Sequence, residues 1–376
     1  MKIPFNIPYS TGKEIAYIKN AISSRKLSGD GEYTKLCQSF FENKYNFKKT
    51  LLTTSCTDAL ELAALLLDIK EGDEIIAPAF TFVSTVNAFV LRGATIVFAD
   101  SNKDNPNIDV DKIEQLITPK TKVIIPVHYA GIACDMDKIM SLAKKYNLFV
   151  VEDAALSIDS YYKDKPLGSI GHLATFSFHE TKNVSAGEGG MIVINDEQFV
   201  KRAEIIREKG TNRSAFYRGE VNKYGWMDIG SSFLPSEITA AYLYAQLQEL
   251  ENIQSRRIQI WNQYYDGLAN LKNKIALPII PEFACNNANS FYIVCKSLEE
   301  RTSLMSYLSN KEISTAFHYL GLHKSGYYKN KYKGGELKMA DIYTDCLLRL
   351  PLYYELTDDE VLSIISAIQD FFLNKA

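Results

Sequence analysis

Short apolar runs and amphipathic stretches alternate along the first half of the chain. Residues 73–80 (DEIIAPAF) form a β-rich apolar run. Residues 81–93 (TFVSTVNAFVLRG) have helical spacing closed by a glycine, and 94–100 (ATIVFAD) read as a strand ending on a carboxylate. The strand pattern returns at 121–131 (TKVIIPVHYAG), the helical one at 134–147 (CDMDKIMSLAKKYN), and a further strand at 148–155 (LFVVEDAA). Upstream, 53–67 (TTSCTDALELAALLL) opens on Ser and Thr and continues as a strongly apolar helix. Strands that stay apolar without alternating are buried on both faces, so this order predicts an α/β fold with a mainly parallel sheet covered by helices. Crossovers in such sheets are right-handed, and ligands gather beyond the carboxyl ends of the strands. Phe82, His128 and Asp153 all fall there.

The pattern changes after about residue 235. Residues 236–268 carry one continuous helical period, which predicts a single rod joining a large domain to a smaller one. The remainder mixes a strand at 290–296 with helices at 301–311 and 358–372, as expected for a smaller C-terminal α+β domain. The division this predicts is 1–250 for the large domain with its N-terminal segment and 251–376 for the small one. No internal repeat or low-complexity tract interrupts it.

Composition narrows the function. A chain of 376 residues exceeds one small core. Its 42 basic and 45 acidic residues nearly cancel, which argues against nucleic acid or an anionic membrane as partner. No apolar run has the length of a membrane span, and MKIPFNIPYS lacks a secretory apolar core, so a cytoplasmic location is expected. The six cysteines form no C-x-x-C pair, and the histidines lack ligand spacing. Free thiols and no metal site are therefore expected.

Candidate chemistry centres on Lys182, in SFHETKNVSAGEGG (177–190), twenty-nine positions after Asp153. A strand ending in a carboxylate, then a second strand ending in a turn with one lysine, suits a protein that holds pyridoxal phosphate (PLP). The lysine would join the aldehyde covalently, and the aspartate would keep the pyridine nitrogen protonated. The Ser/Thr-rich opening of the 53–67 helix is a seat for phosphate, though Ser and Thr also serve there as plain caps. Phe82 is placed either to stack on a ring or to fill core. Asp153 could instead cap the next helix. Ser177 offers a hydroxyl to phosphate, and GEGG (187–190) lets the backbone turn after Lys182. His128 is a candidate near the cofactor, and His318 on the substrate side. Arg213, Arg218 and Tyr217 suit a diphosphate or plain solvent equally.

The order of SCT-DAL, APAFTFVSTVNAF, PVHYAG, VVEDAA, SFHETKN, GEGG and RLPLYY resembles the DegT/DnrJ/EryC1/StrS sugar-nucleotide aminotransferases over essentially the whole chain. The resemblance implies PLP-dependent fold type I, a homodimer with sites at the subunit interface, and amino transfer from L-glutamate, with 2-oxoglutarate released, to a nucleotide-linked keto sugar. It makes Lys182 the lysine bound to PLP, Asp153 the partner of the pyridine nitrogen and Phe82 the stacking aromatic. Ser55, Cys56, Thr57 and Ser177 would surround the phosphate, with Ser231 and Ser232 reaching in from the other subunit. KLSGDGEYTKLCQSF, EIIREKGTNRS and DIGSSFLPSE are most similar to the branch acting on dTDP-4-keto-6-deoxy-D-glucose. That branch serves cell-surface polysaccharides such as O-antigen or enterobacterial common antigen. Family dehydratases carry histidine in place of the lysine, so Lys182 argues for amino transfer. The position of amination, C3 or C4, and a non-catalytic regulator remain as alternatives. Two departures stand out. Leu156 replaces the family's usual Gln or His near the cofactor's phenolate oxygen, and Gly321 replaces a frequent proline, which predicts a more flexible loop.

Overall fold

The computed structural model describes residues 2–373. Helices α1 (Glu14–Ser23) and α2 (Glu32–Tyr45) precede strand β1 (Thr50–Thr53). The predicted alternation follows as α3 (Cys56–Leu66), β2 (Glu74–Pro78), α4 (Ser84–Val90), β3 (Thr95–Ala99), β4 (Thr121–Ile124), α5 (Met136–Tyr146) and β5 (Phe149–Asp153). Two-residue strands β6 (Tyr161–Tyr162) and β7 (Lys165–Pro166) come before β8 (Leu173–Ser177) and β9 (Gly190–Ile194). Helices α6 (Val200–Arg207), α7 (Arg213–Tyr217), α8 (Glu237–Leu247) and α9 (Leu250–Gly267) lead out of the large unit. The C-terminal part holds β10 (Ala284–Cys285), β11 (Tyr292–Val294), α10 (Leu298–Asn310), β12 (Ala316–Phe317), α11 (Lys338–Cys346), β13 (Leu347–Arg349) and α12 (Asp358–Leu373).

The central sheet has the order β1-β9-β8-β5-β4-β2-β3. The β2–β3, β2–β4, β4–β5 and β5–β8 pairs are parallel, and β9 alone reverses, lying antiparallel to β1 and β8. A reversal is forced there because β8 and β9 are joined by the loop 178–189 with no crossover helix. Alternate residues of each strand feed opposite cores, which explains the unbroken apolar runs. Ile75, Ala77, Val123, Val151 and Ile192 pack under α3. Ile76, Ile124 and Val150 meet Met136, Ile139 and Ala143 of α5 on the other face. Leu52, Phe176 and Val193 meet α2 and α8. The cap position before helix α2 is Gly31, which has no side chain to fill that role. The buried Glu237 carboxylate of α8 takes its place, accepting from the Gly31, Tyr33 and Thr34 amides at 3.0, 2.7 and 3.1 Å.

The expected single helix over 236–268 is instead two. The chain leaves helical geometry at Glu249 (φ −107, ψ 8), between α8 and α9. The break redirects the path: Leu247, Leu250 and Ile253 belong to the large unit's core, whereas Ile260, Trp261 and Tyr264 belong to the C-terminal core. A domain boundary at 250, our proposal, falls at this joint. In the C-terminal sheet β13 lies between β11 and β12, antiparallel to both. Ile3 joins this unit by pairing with Ile313. The loop at Gly321 is pinned, since its amide donates to Thr344 Oγ1 at 3.0 Å and the Leu322 amide to the Ala79 carbonyl at 2.9 Å. A proline there would forfeit the first bond.

Candidate active site

The candidate phosphate seat lies where β1 turns into α3. Ser55 is extended (φ −156), and its Oγ accepts from the Asp58 amide at 3.0 Å. This leaves the amides of the first turn, Cys56 and Thr57, facing outward. Thr57 Oγ1 donates to Ser84 Oγ at 2.8 Å, tying α3 to α4. Strand β9 passes directly beneath. Gly190 is in register with Thr53 on one side and Ser177 on the other, which brings the Ser177 hydroxyl to the same end of the sheet. A Cβ at Gly190 would overlap the Ser55 carbonyl and the Cys56 amide nitrogen, so only glycine permits this approach.

Asp153 closes β5. Its Oδ2 accepts from Thr85 Oγ1 at 2.7 Å and its Oδ1 from the Ala155 amide at 3.1 Å. Thr85 is held in turn by Thr81 at 2.8 Å. Burial raises the Asp153 pKa, opposed by those two hydrogen bonds and by the charge of Lys182. Lys182 sits half-buried in the loop after β8. Burial lowers its pKa to about 8; the Cys56 thiol and Asp153 pull the value up and the Arg349 charge pushes it down. Phe82, just past β2, is 54 % exposed, with its ring 6.0 Å from that of Tyr319. Such a bare aromatic at a strand's carboxyl end is free to receive a ring ligand. An outward-facing amide seat, an open aromatic, a buried acid and a lysine of depressed basicity together fit PLP.

Not every sequence candidate joins them. Glu152 and Asp153 are neighbours on a strand and so point to opposite faces. His128 goes with Glu152: its Nε2 donates to Glu152 Oε2 at 3.0 Å, and its Nδ1 accepts from the Cys134 amide at 3.1 Å. Fully buried and with both nitrogens engaged, His128 has none left for a ligand. Glu152 also receives the Gly168, Ile170 and Gly171 amides at 2.9, 2.8 and 2.5 Å, so the pair organises the loop before β8. His318 does reach the lysine's surroundings. Its Nδ1 meets Tyr129 Oη at 3.0 Å and its ring stacks on Tyr319 at 3.7 Å. Burial holds its pKa well below the usual histidine value, and the charges of Arg349 and Lys182 add to this, so the ring is neutral. Leu156 is buried in the core that also contains Tyr129.

Arg213, Tyr217 and Ser232 line a separate cavity of about 1010 Å³, with Lys26, Arg207 and Lys209. Arg213 Nη2 donates to Tyr217 Oη at 2.9 Å there. Neither Lys182 nor Asp153 lines that space. Sequence reasoning missed Thr85, Tyr129, Tyr319 and Arg349. Thr85 lies inside APAFTFVSTVNAF, Tyr129 inside PVHYAG and Arg349 inside RLPLYY, stretches that marked the family without a role for these three residues.

A mainly parallel sheet whose β8 runs out into a lysine-bearing loop, beside the acid that ends its parallel neighbour β5, places the chain among PLP-dependent enzymes of fold type I. The sequence model of the DegT/DnrJ/EryC1/StrS aminotransferase family matches residues 8–369, and the chain belongs to that family. GDP-perosamine synthase of Escherichia coli O157:H7 is 33% identical, with 99% of each chain covered. The spore coat polysaccharide biosynthesis protein SpsC of Bacillus subtilis is 32% identical over 98% of this chain and 96% of its own. Among solved structures, Spr1654 of Streptococcus pneumoniae, assigned as a sugar aminotransferase and solved in its PLP form, superposes with a TM-score of 0.91. Its identity is 29%, with 100% of this chain and 99% of that one covered. The protein is a PLP-dependent sugar aminotransferase.

Proposed function

We propose that the enzyme moves an amino group from L-glutamate to C4 of dTDP-4-keto-6-deoxy-D-glucose, giving dTDP-4-amino-4,6-dideoxy-D-galactose and 2-oxoglutarate. The observation that carries the reading is Lys182, its amine lowered to about 8 and placed near the buried Asp153. The choice of sugar rests on the sequence stretches that resemble the dTDP-linked branch. A role in surface polysaccharide assembly gains support from the relatives named for perosamine and spore coat polysaccharide.

PLP supplies the electron sink that makes the donor's α-proton acidic. In this reading Asp153, fixed by Thr85 and Ala155, would be the anion that pairs with the pyridine nitrogen. Lys182 Nζ takes the proton from the donor's α-carbon as general base, and a lysine of lowered pKa is neutral often enough to do so. Phe82 would supply the aromatic surface for the cofactor's ring. Ser55, Thr57, Ser177 and the first amides of α3 would hold its phosphate. His318, neutral and held by Tyr129, offers its remaining ring nitrogen to the sugar.

A homodimer belongs to the same proposal. Tyr217, Tyr224, Met227 and Ile229 are exposed, as is Trp226 at 85 %, beside the cavity that holds Arg213 and Ser232. A second subunit would cover this apolar segment and bring those residues to a neighbouring site. No helix among the described residues is long and apolar enough to cross a membrane. A cytoplasmic location is proposed with the rest.

The test is incubation with L-glutamate and either dTDP- or GDP-linked 4-keto-6-deoxyhexose, followed by NMR of the product. A 4-amino sugar from the dTDP substrate is expected. A 3-amino product, or turnover with the GDP sugar alone, overturns the substrate assignment. Lys182→Ala should abolish both turnover and the absorbance of bound cofactor, and an active variant would refute the lysine's role.

A further inference from the structure

The loop that carries Lys182 braces its own base. The Phe178 amide donates to the Gly189 carbonyl at 2.8 Å, the Glu180 amide to Gly187 at 2.9 Å and the Ala186 amide to Phe178 at 2.8 Å. Asn183, directly after the lysine, is tied differently. Its carboxamide is buried, and the hydrogen bonds it makes all leave the loop. Nδ2 donates to Gln254 Oε1 of α9 at 2.6 Å and to the Asn287 carbonyl at 2.9 Å, while Oδ1 accepts from Asn289 Nδ2 at 2.9 Å. Both donor protons of the amide are thereby engaged.

The far side of this network reaches the acid's strand. Asn287 is fully buried, and its Nδ2 donates to the Leu156 and Ile158 carbonyls at 2.9 and 2.6 Å, in the turn that follows Asp153. A Cβ at Gly131 would lie 1.9 Å from Asn287 Oδ1, so the side chain seats against bare backbone in the turn after β4. Loops leaving β4, β5 and β8 thus converge on residues 287–289, just before β11. That segment is held under strain, since Ala288 has a φ of 49°, a left-handed value that is costly for a residue with a Cβ. Arg257 of α9 secures it, with Nε donating to the Ala288 carbonyl at 3.2 Å and Nη2 to the Asn289 carbonyl at 2.7 Å. Gln254 and Arg257 lie between Ile253, in the large unit's core, and Ile260, in the C-terminal core. The amides therefore bridge the two units at their joint.

We infer that Asn183 is a positioning residue, which registers Lys182 against the turn after Asp153 through Asn287 and Asn289 and links the lysine's placement to the joint between the units. The inference rests on the reading of Lys182 as the proton carrier. Its amine must meet the donor's α-carbon, and a misplacement of about 1 Å at such a step costs about 100-fold in rate. The loop's internal bonds set its shape, but the β5–β8 ladder stops at Asp153 and Thr175, well short of Lys182. Directional bonds in a desolvated place fix the remainder more sharply than apolar contact, because each bond lost strands a buried partner.

The test compares wild type with Asn183→Ala and with Gln254→Met, which removes the acceptor on α9. In holoenzyme, kcat should fall about 30-fold in each variant while KM for L-glutamate stays within about threefold. In apoenzyme, deuterium exchange read by mass spectrometry should quicken about tenfold in peptides covering 178–184, with strand β5 (149–153) unchanged. Should the alanine variant fail to fold, the methionine variant decides. Exchange that quickens equally in both peptides overturns the positioning role, as does a raised KM with kcat kept. Wild-type kinetics and exchange in both variants overturn it too. A Lys182→Ala enzyme that still turns over would refute the proton-carrier reading itself. Dependence on Lys182 with indifference to Asn183 and Gln254 refutes only the asparagine.

Discussion

Removing the cofactor and varying pH exposes the Lys182 amine to direct measurement. With an ordinary value of 10.5, about one lysine in 300 is neutral at pH 8; with the value lowered to about 8, half are. Neutral amine is what captures an aldehyde, so apoenzyme should take up PLP about 150-fold faster at pH 8 than an unperturbed lysine would allow. The rate of appearance of bound-cofactor absorbance, followed after mixing from about pH 6 to 10, should rise along a single curve centred near 8. Burial is the main cause, with Asp153 opposing it, so Asp153→Asn should move the midpoint down. The same shift couples to stability. The folded value lies below the unfolded one, so between about 8 and 10.5 the unfolded chain holds more protons, and apoenzyme stability should rise with pH across that window. A midpoint at 10 or above, or an upward move in Asp153→Asn, would refute the reasoning.

Two further outcomes follow from packing. Gly190→Ala places a methyl against the Ser55 carbonyl and the Cys56 amide, so β9 or the start of α3 must shift. The expected cost is about 1–3 kcal/mol with weaker cofactor binding, checked by thermal melts with and without PLP; wild-type values in both would contradict the close approach. Leu156→Gln should lower the pH at which bound-cofactor absorbance changes, because a hydrogen bond to the phenolate oxygen favours its charged form. Identical titration curves for the two proteins would show that position 156 does not touch that equilibrium.

Much of the scaffold was legible because it is local. Runs such as EIIAP and FVVED carry no polar face, which already implies burial on both sides. Asp153 ends one apolar run and Lys182 follows another, and those runs are the parallel neighbours β5 and β8. The joint at Glu249 was not legible. The apolar period runs through it without Gly or Pro, and the bend serves two cores that only the folded chain defines. His128 misled for a related reason. A strand end tells where a side chain starts, but the face it takes was settled by Glu152, twenty-four residues further on. Arg349 reads as an ordinary arginine in LLRL, and that its buried Nε finds no acceptor among the described residues is a property of the packed molecule.

The bridge between Ile3 and Ile313 has a consequence for biosynthesis. Residues 3–6 cannot reach their final berth until about 310 more have been translated, at 5–20 residues per second roughly a quarter-minute to a minute. Phe5, the floor beneath Arg349, arrives with them. A nascent chain could therefore shape its lysine pocket early, yet the contact of Phe5 with Arg349 would be made only when the two distant segments clasp.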